Sequence, residues 1–325
     1  MDKRLVVAVT PAGRRRYMRL LIPQVLSCPD IDRYDIWLNT TDPDDLRFLE
    51  LVSRHPKVRL IHLPDGKVNG SRSINPFYKY TSDPGTTYIK FDDDIVWIDN
   101  KSISKMIEYR NENENFAFIT PMVVNNAVCT ALLQARGKLN ELKRAKPYCL
   151  DNTGWRDPHF AEQLHRHFLK EITGTGVGAF VSEDTLFAMS RFSINCVAWR
   201  GELFAEFSGV VVGEDEEEIS INIPARANLP NLLFGNAVVA HFAFYTQREH
   251  LDRTDLLDLY RAELRKKDWI DEDALGLVEE SFAEAESRSG QGSRKGFGKL
   301  LDVQFYSPRI RFSVRKKKIR ELLRM

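Results

Sequence analysis

Leu5 to Val9 (Leu-Val-Val-Ala-Val) is an unbroken apolar run, the pattern of a strand buried on both faces of a parallel sheet. Past a Thr10-Pro11-Ala12-Gly13 turn, Met18, Leu21, Ile22 and Val25 recur at helical spacing. The alternation then repeats. Asp35 to Leu38 reads as a strand, Asp42-Pro43 as the N-cap and first position of a helix with Leu46, Leu49 and Val52 on one face, and Val58 to Leu63 as a third strand. Pro64-Asp-Gly66 is a turn, and Ser71 to Tyr80 is a polar lead-in to a short helix. Thr87 to Phe91 is a further buried strand ending in Asp92-Asp93-Asp94; an apolar run follows, then Asp99 as the start of a helix carrying Ile103, Met106 and Ile107. Strands alternating with helices predict an α/β fold of right-handed βαβ units: a mostly parallel central sheet flanked by helices, with ligands at the carboxyl ends of its strands.

After a strand over Phe116 to Val124, the pattern loosens between about 125 and 178, apart from a helix-like Phe160 to Leu169, and the segment reads as an insertion carrying mobile loops. Its Gly174-Thr-Gly176-Val-Gly178 run lacks both a preceding strand and the G-x-G-x-x-G spacing of a dinucleotide motif. Regularity returns with strands over Phe192 to Trp199, Gly209 to Val212 and Ala237 to Phe242, and a short helix over Gly201 to Phe207. Leu256 to Leu264 and Ala274 to Glu286 read as helices, and Ser287 to Gly298 as a flexible Gly/Ser-rich linker. The expected division is a domain over 1–250 and a helical C-terminal extension over 251–325.

Composition narrows the class. With 325 residues, 43% hydrophobic and 29% charged, the chain is long enough for a sizeable core. The 47 basic and 46 acidic residues nearly balance, so net charge gives no sign of a nucleic-acid partner. The four cysteines, Cys28, Cys129, Cys149 and Cys196, form no CxxC pair, which argues against a zinc site or disulfide framework and for reduced thiols. The apolar run after Met1-Asp-Lys-Arg is too short for a signal peptide and no segment reaches membrane-spanning length, so a cytoplasmic protein is expected. From residue 306 to 325 basic side chains interleave with Phe312, Ile319, Leu322 and Leu323. Two readings stand: a peripheral contact with anionic lipid, or a solvated helix.

The three adjacent carboxylates Asp92, Asp93 and Asp94 repel one another and point to a cation, a divalent metal being the natural partner of carboxylate oxygens. An EF-hand loop is excluded, because Val96 and Trp97 stand where an oxygen ligand and a glycine belong. Asp92-Asp-Asp94-Ile-Val96 also fits the D-x-D-x-T/V letters of a haloacid-dehalogenase-type phosphatase with Asp92 as nucleophile, although a complete βα unit precedes it. Arg14, Arg15 and Arg16 sit at a helix start, where the dipole disfavours cations; an anionic ligand or plain solvation would resolve that conflict.

Taken in order, the first strand and turn, Arg72-Ser-Ile-Asn75, the strand into Asp-x-Asp, the Glu-Asp run from Glu214 and His241 after a later strand resemble GT-A fold glycosyltransferases, especially the inverting family-2-type enzymes. The resemblance covers about residues 4–250. It implies a Rossmann-like GT-A domain that moves a sugar from a nucleotide-diphosphate sugar, a UDP-sugar above all, to a hydroxyl of a glycan or lipid-linked saccharide, as in polysaccharide biosynthesis. It implies Mn2+ or Mg2+ held by Asp92, Asp94 and His241. Thr10, Pro11 and Ala12 would line the nucleoside, with Asn39 and Asp42 near the base, and Arg72, Asn75, Asp92, Asp93 and Arg248 around ribose and phosphates. Asp215 would be the catalytic base, with Glu216 the second choice, and Trp155, His159 and Trp199 would face the acceptor. A sugar-nucleotide-binding protein without turnover is a third reading.

Overall fold

The computed structural model describes residues 4–63, 66–188, 190–192 and 194–292. The described residues up to 288 form a first compact unit. In chain order the first unit contains β1 (Leu5–Ala12), α1 (Arg15–Leu26), β2 (Arg33–Leu38), α2 (Pro43–Val52), β3 (Val58–Ile61), β4 (Thr86–Phe91), β5 (Ile95–Ile98), α3 (Asn100–Glu112), β6 (Ile119–Val124), α4 (Ala127–Ala135), α5 (Pro158–Gly174), β7 (Thr185–Phe187), β8 (Cys196–Arg200) and β9 (Asn231–His241). The short helix Arg248–Leu251 and the helix Leu256–Leu264 follow, and a last helix spans Glu272–Gly292.

The strands form one nine-stranded sheet ordered β3-β2-β1-β4-β8-β6-β9-β5, with β7 also on β9. The first four are parallel, with Val7 opposite Arg33 and Tyr88, as the βα alternation predicts. From β8 onward the sheet is mixed: β8 runs antiparallel to β4, β6 parallel to β9, and β5 antiparallel to β9, with Ile95 opposite His241. An α/β sheet flanked by helices, with a helical C-terminal region, is the architecture expected from the sequence.

Side-chain alternation along β1 feeds two apolar layers. Val6, Ala8 and Ala12 join the larger core beneath α1 and α2, while Val7 and Val9 join a smaller aromatic layer with Trp37, Phe77, Tyr78, Tyr88 and Trp199. In the smaller layer Trp37 stacks on Phe77 and Trp199 on Tyr88, with centroids 5.1 and 5.9 Å apart.

Three expectations change. The segment 125–178 is built into the main core: Asn126 caps α4, Asp157 caps α5, and Phe160, Leu164 and Phe168 on α5 are buried. The helix-like spacing from Phe160 to Leu169 is borne out by α5, but the polar stretch before it hid that the segment packs into the core. Gly209 to Val212 is an irregular segment and not a strand: Gly209 closes a turn with positive φ, Gly213 also takes positive φ, and Val210 and Val212 are 53% and 67% exposed. Ser287 to Gly292 continue the last helix, and the rest of the expected linker and the basic tail lie outside the described residues. Among the described residues no helix is long and apolar enough to cross a membrane.

Candidate functional site

The carboxyl ends of β1 and β4 and the end of β9 open on a cleft of about 600 Å³, lined among others by Pro11, Gly13, Asn39, Asp92, Asp94, Asp215, Glu216, His241 and Arg248. The turn between β4 and β5 is fixed through its backbone. Asp92 N–H donates to the Asn195 carbonyl (2.8 Å), Ile95 N–H to the Asp92 carbonyl (3.1 Å), and Phe242 N–H to the Asp94 carbonyl (2.8 Å). These bonds send the three carboxylates in different directions.

Asp92 accepts from Lys90 Nζ and from Asn195 Nδ2 (2.9 Å). Asp93 turns back toward β1: it accepts the Gly13 N–H (3.0 Å), Arg14 Nε (3.0 Å) and Arg14 Nη2. The backbone at Gly13 comes so close to Asn39 that a Cβ there would lie 3.2 Å from its carbonyl oxygen. Asp94 is buried and faces three cationic or ionisable groups: Arg14 Nη1 at 3.1 Å, His241 Nε2 at 3.3 Å and Arg248 Nη2 at 3.6 Å.

Burial raises the pKa of Asp93, and the neighbouring Asp94 and Asp92 add to that against Arg14. Burial acts the same way on Asp94, but Arg14, His241 and Arg248 outweigh it and hold that carboxyl below its usual range. The cleft is therefore built around one firmly ionised carboxylate, with its Oδ1 beside an imidazole.

On the other side stands the acid run, entered through Gly213. Asn75 Nδ2 donates to the Gly213 carbonyl (2.8 Å), tying the lead-in before β4 to this run. Arg191 pairs with Glu214 and Glu217, each at 2.9 Å, and lies 3.6 Å from Glu216. Burial pushes the Glu216 carboxyl up to about 7, with Arg191 opposing and Glu214 adding to the shift. Burial also raises Asp215, against the fully buried ammonium of Lys90.

The other expected residues divide. On β1 only Pro11 lines the cleft; Thr10 and Ala12, two positions apart, share the opposite face, where Ala12 is in the core and Thr10 Oγ1 accepts from Tyr34 (2.9 Å). Asn39 lines the cleft and is oriented by Ser73 Oγ, which donates to its Oδ1 (2.6 Å). Asp42 is a helix cap instead, accepting the Asp44 and Asp45 N–H groups (2.9 Å each) and lining a separate pocket with Arg15 and Arg16. Arg72 lies in the short turn Gly70–Ser73, its side chain outside the described part.

Trp199 is fully buried in the aromatic layer, so it faces no acceptor. Trp155 reaches the rim, edge-on to Tyr245 with centroids 5.2 Å apart, and His159 packs on His250 beyond it. The helix-start arginines are answered from within the chain: Arg14 by Asp93 and Asp94, Arg15 by Asp45 (2.8 Å), Arg16 by Asp252 (2.8 Å).

Sequence reasoning missed Lys90 and Asn195. A lysine inside an otherwise apolar strand, two residues before an acid and so on the same face, was the available signal for Lys90. Asn195 carried none, because it reaches Asp92 only through the β4–β8 pairing.

No family description and no curated protein matches the chain in sequence. Among solved structures it is similar to glucosyl-3-phosphoglycerate synthase from Mycobacterium tuberculosis in complex with Mn2+, uridine-diphosphate and phosphoglyceric acid, at 12% identity, covering 82% of this chain and 80% of that one, with a TM-score of 0.42. It is also similar to CMP:2-keto-3-deoxy-manno-octonic acid synthetase complexed with CTP, at 12% identity, 81% and 100% coverage and a TM-score of 0.43. A third similarity is to 4-diphosphocytidyl-2C-methyl-D-erythritol synthase, at 13% identity, 79% and 100% coverage and a TM-score of 0.41.

Proposed function

We propose that the cleft binds a nucleotide-diphosphate sugar together with a divalent cation and transfers the sugar to a hydroxyl acceptor, with inversion. The observation that carries this reading is the pairing of Asp94 with His241 (Oδ1 to Nε2, 3.3 Å) in the same cleft as the half-buried acids Asp215 and Glu216.

The donor chemistry fits a cation. Six carboxylates line the cleft against three cationic side chains, Arg14, Lys90 and Arg248. Asp94 and His241 would hold the ion, with Asp92 beside them, and an imidazole in the set favours Mn2+ over Ca2+ or Mg2+. When bound, the ion neutralises charge developing on the leaving diphosphate. Arg248, the first residue of the short helix after β9, adds a guanidinium for the same phosphates. Glu216 takes the proton of the acceptor hydroxyl; its pKa near neutrality suits a base better than that of an ordinary carboxylate, and Asp215 is its neighbour in the same role. Lys90 touches no reactant in this scheme and orients Asp92.

The test is incubation with Mn2+ and a panel of nucleotide sugars, reading release of free nucleoside diphosphate. Release that disappears in Asp94→Asn supports transfer. Phosphate release from simple monoesters, abolished in Asp92→Asn, would replace it with the phosphatase reading. Tight nucleotide-sugar binding without release across a full acceptor panel would leave a binding protein.

A further inference from the structure

A second cluster of ligating side chains lies outside the cleft. Asp157 caps α5 by accepting the N–H groups of His159 (3.1 Å) and Phe160 (3.2 Å), and Pro158 occupies the first helical position, which fixes where the helix starts. His159 and Glu162, three residues apart, therefore share a face. The short helix Arg248–Leu251 brings His250 onto that face, its Nε2 2.7 Å from Glu162 Oε2 and its ring centroid 4.5 Å from that of His159. One ligand atom from each of the three lies within 4.8 Å of the others.

Ligand atoms at about 2.1 Å from a tetrahedral zinc stand roughly 3.4 Å apart. His250 and Glu162 already meet that demand. His159 is exposed and its imidazole makes no hydrogen bond among the described residues, so a rotamer adjustment brings it in. The other oxygen of Glu162 accepts Arg166 Nε (3.0 Å) and Nη2 (2.8 Å), the kind of outer partner that orients a ligating carboxylate. Two imidazoles and one carboxylate suit zinc and its transition-metal neighbours, not Mg2+ or Ca2+, and leave one position open to water.

We propose that His159, Glu162 and His250 form a site for a divalent transition-metal ion of the zinc class. Its occupation joins α5 to the segment that carries Tyr245 and Arg248 at the mouth of the cleft. That segment is already held to the same region by Thr246 Oγ1 donating to the Trp155 carbonyl and by the Trp155–Tyr245 ring contact. A bound ion adds a coordinative tie that fixes Arg248 against α5. The site stands independently of the chemistry proposed for the cleft.

The experiment is calorimetric titration of chelator-treated full-length protein with zinc chloride, and with manganese chloride for comparison. Wild type should bind zinc, and His159→Ala and Glu162→Gln should each weaken that binding at least about tenfold, while Asp94→Asn retains it. Zinc should also raise the melting temperature of wild type by more than that of His159→Ala, since a ligand of the folded state stabilises it by mass action. His159 is exposed, so its replacement leaves the fold intact, as circular dichroism checks. No zinc uptake by wild type, or equal affinity in His159→Ala, overturns the proposal. Loss of uptake in Asp94→Asn with retention in His159→Ala also overturns it, because the ion would then sit in the cleft.

Discussion

Lys90 Nζ, fully buried, donates to Asp92 Oδ1 and to the Ile194 carbonyl (3.2 Å). Burial alone would lower its pKa, but Asp92 and then Asp215 reverse this and leave the ammonium charged. Removing one partner of a buried ion pair strands the other, so Lys90→Met should destabilise the fold by on the order of 3 kcal/mol. Part of that loss should return in Lys90→Met/Asp92→Asn. Urea midpoints of the two variants and wild type give the answer, and an unchanged midpoint in Lys90→Met would remove the pair from the account.

Adjacent acids should fail differently. Asp93 is spent on Arg14 and the Gly13 N–H, so Asp93→Asn should cost about 2 kcal/mol of stability through lost charge-assisted hydrogen bonds. Asp94→Asn should cost stability as well, because Arg14, His241 and Arg248 hold that buried carboxylate ionised in the fold, so the two variants separate in activity. Asp94→Asn should lower Mn2+-dependent release of nucleoside diphosphate by about 100-fold or more, as befits a direct ligand compared with an outer partner. Equal effects of the two substitutions on that release would contradict this division.

Two groups should oppose each other in the pH dependence of stability. Glu216 titrates near 7 in the folded chain against an ordinary 4.5. The folded state therefore holds its proton longer, and this group makes stability fall as pH rises through that window. His165 is held down to about 4 from 6.5, first by burial, while bonded to Tyr260 and the Phe242 carbonyl. The unfolded state binds that proton first, so this group makes stability rise with pH between about 4 and 6.5. Glu216→Gln should expose the His165 slope, at most about 1.4 kcal/mol per pH unit. Urea midpoints at several pH values test it; a slope unchanged by Glu216→Gln would refute it. The same variant should remove the rise of transfer rate with pH around neutrality if Glu216 is the base, and leave it if Asp215 is.

The two tryptophans assigned to the acceptor side should separate in melting experiments. Trp199→Ala empties the middle of the aromatic layer between Tyr88 and Phe204 and should cost roughly 3–5 kcal/mol. Trp155→Ala loses a rim contact with Tyr245 and should cost about 1 kcal/mol. Similar losses at both positions would be inconsistent with the burial described.

The parallel half of the sheet was legible because β1 is a continuous apolar run, short β-rich runs follow it at regular spacing, and α2 begins at a recognisable cap, Asp42-Pro43. The mixed half was harder. β5 and β9 exchange partners across long stretches of chain, and nothing local in Ile95–Ile98 distinguishes an edge strand from the first turn of a helix. In the site, Asp92 to Asp94 stood out as a charge cluster at a strand end, and His241 followed from its place after a strand. The sequence could not say which carboxylate faces inward. That is decided by Arg14 and Lys90, whose side chains reach the turn from two different strand ends, and by the period of two along β1 that hides Thr10 and Ala12.

The sheet order places β8, β6 and β9 between β4 and β5, although only Asp92–Asp94 separates the two in the chain. Across a flat sheet those four inter-strand steps would span roughly 19 Å. The chain from Phe91 to Ile95 reaches at most about 14 Å. The sheet must roll until β5 returns toward β4, and the aspartates are the tether that holds it rolled. An added residue in that tether would slacken it, or turn every side chain of Ile95–Ile98 to the opposite face. The three acids are thus spaced by a mechanical requirement of the fold before any ligand imposes one.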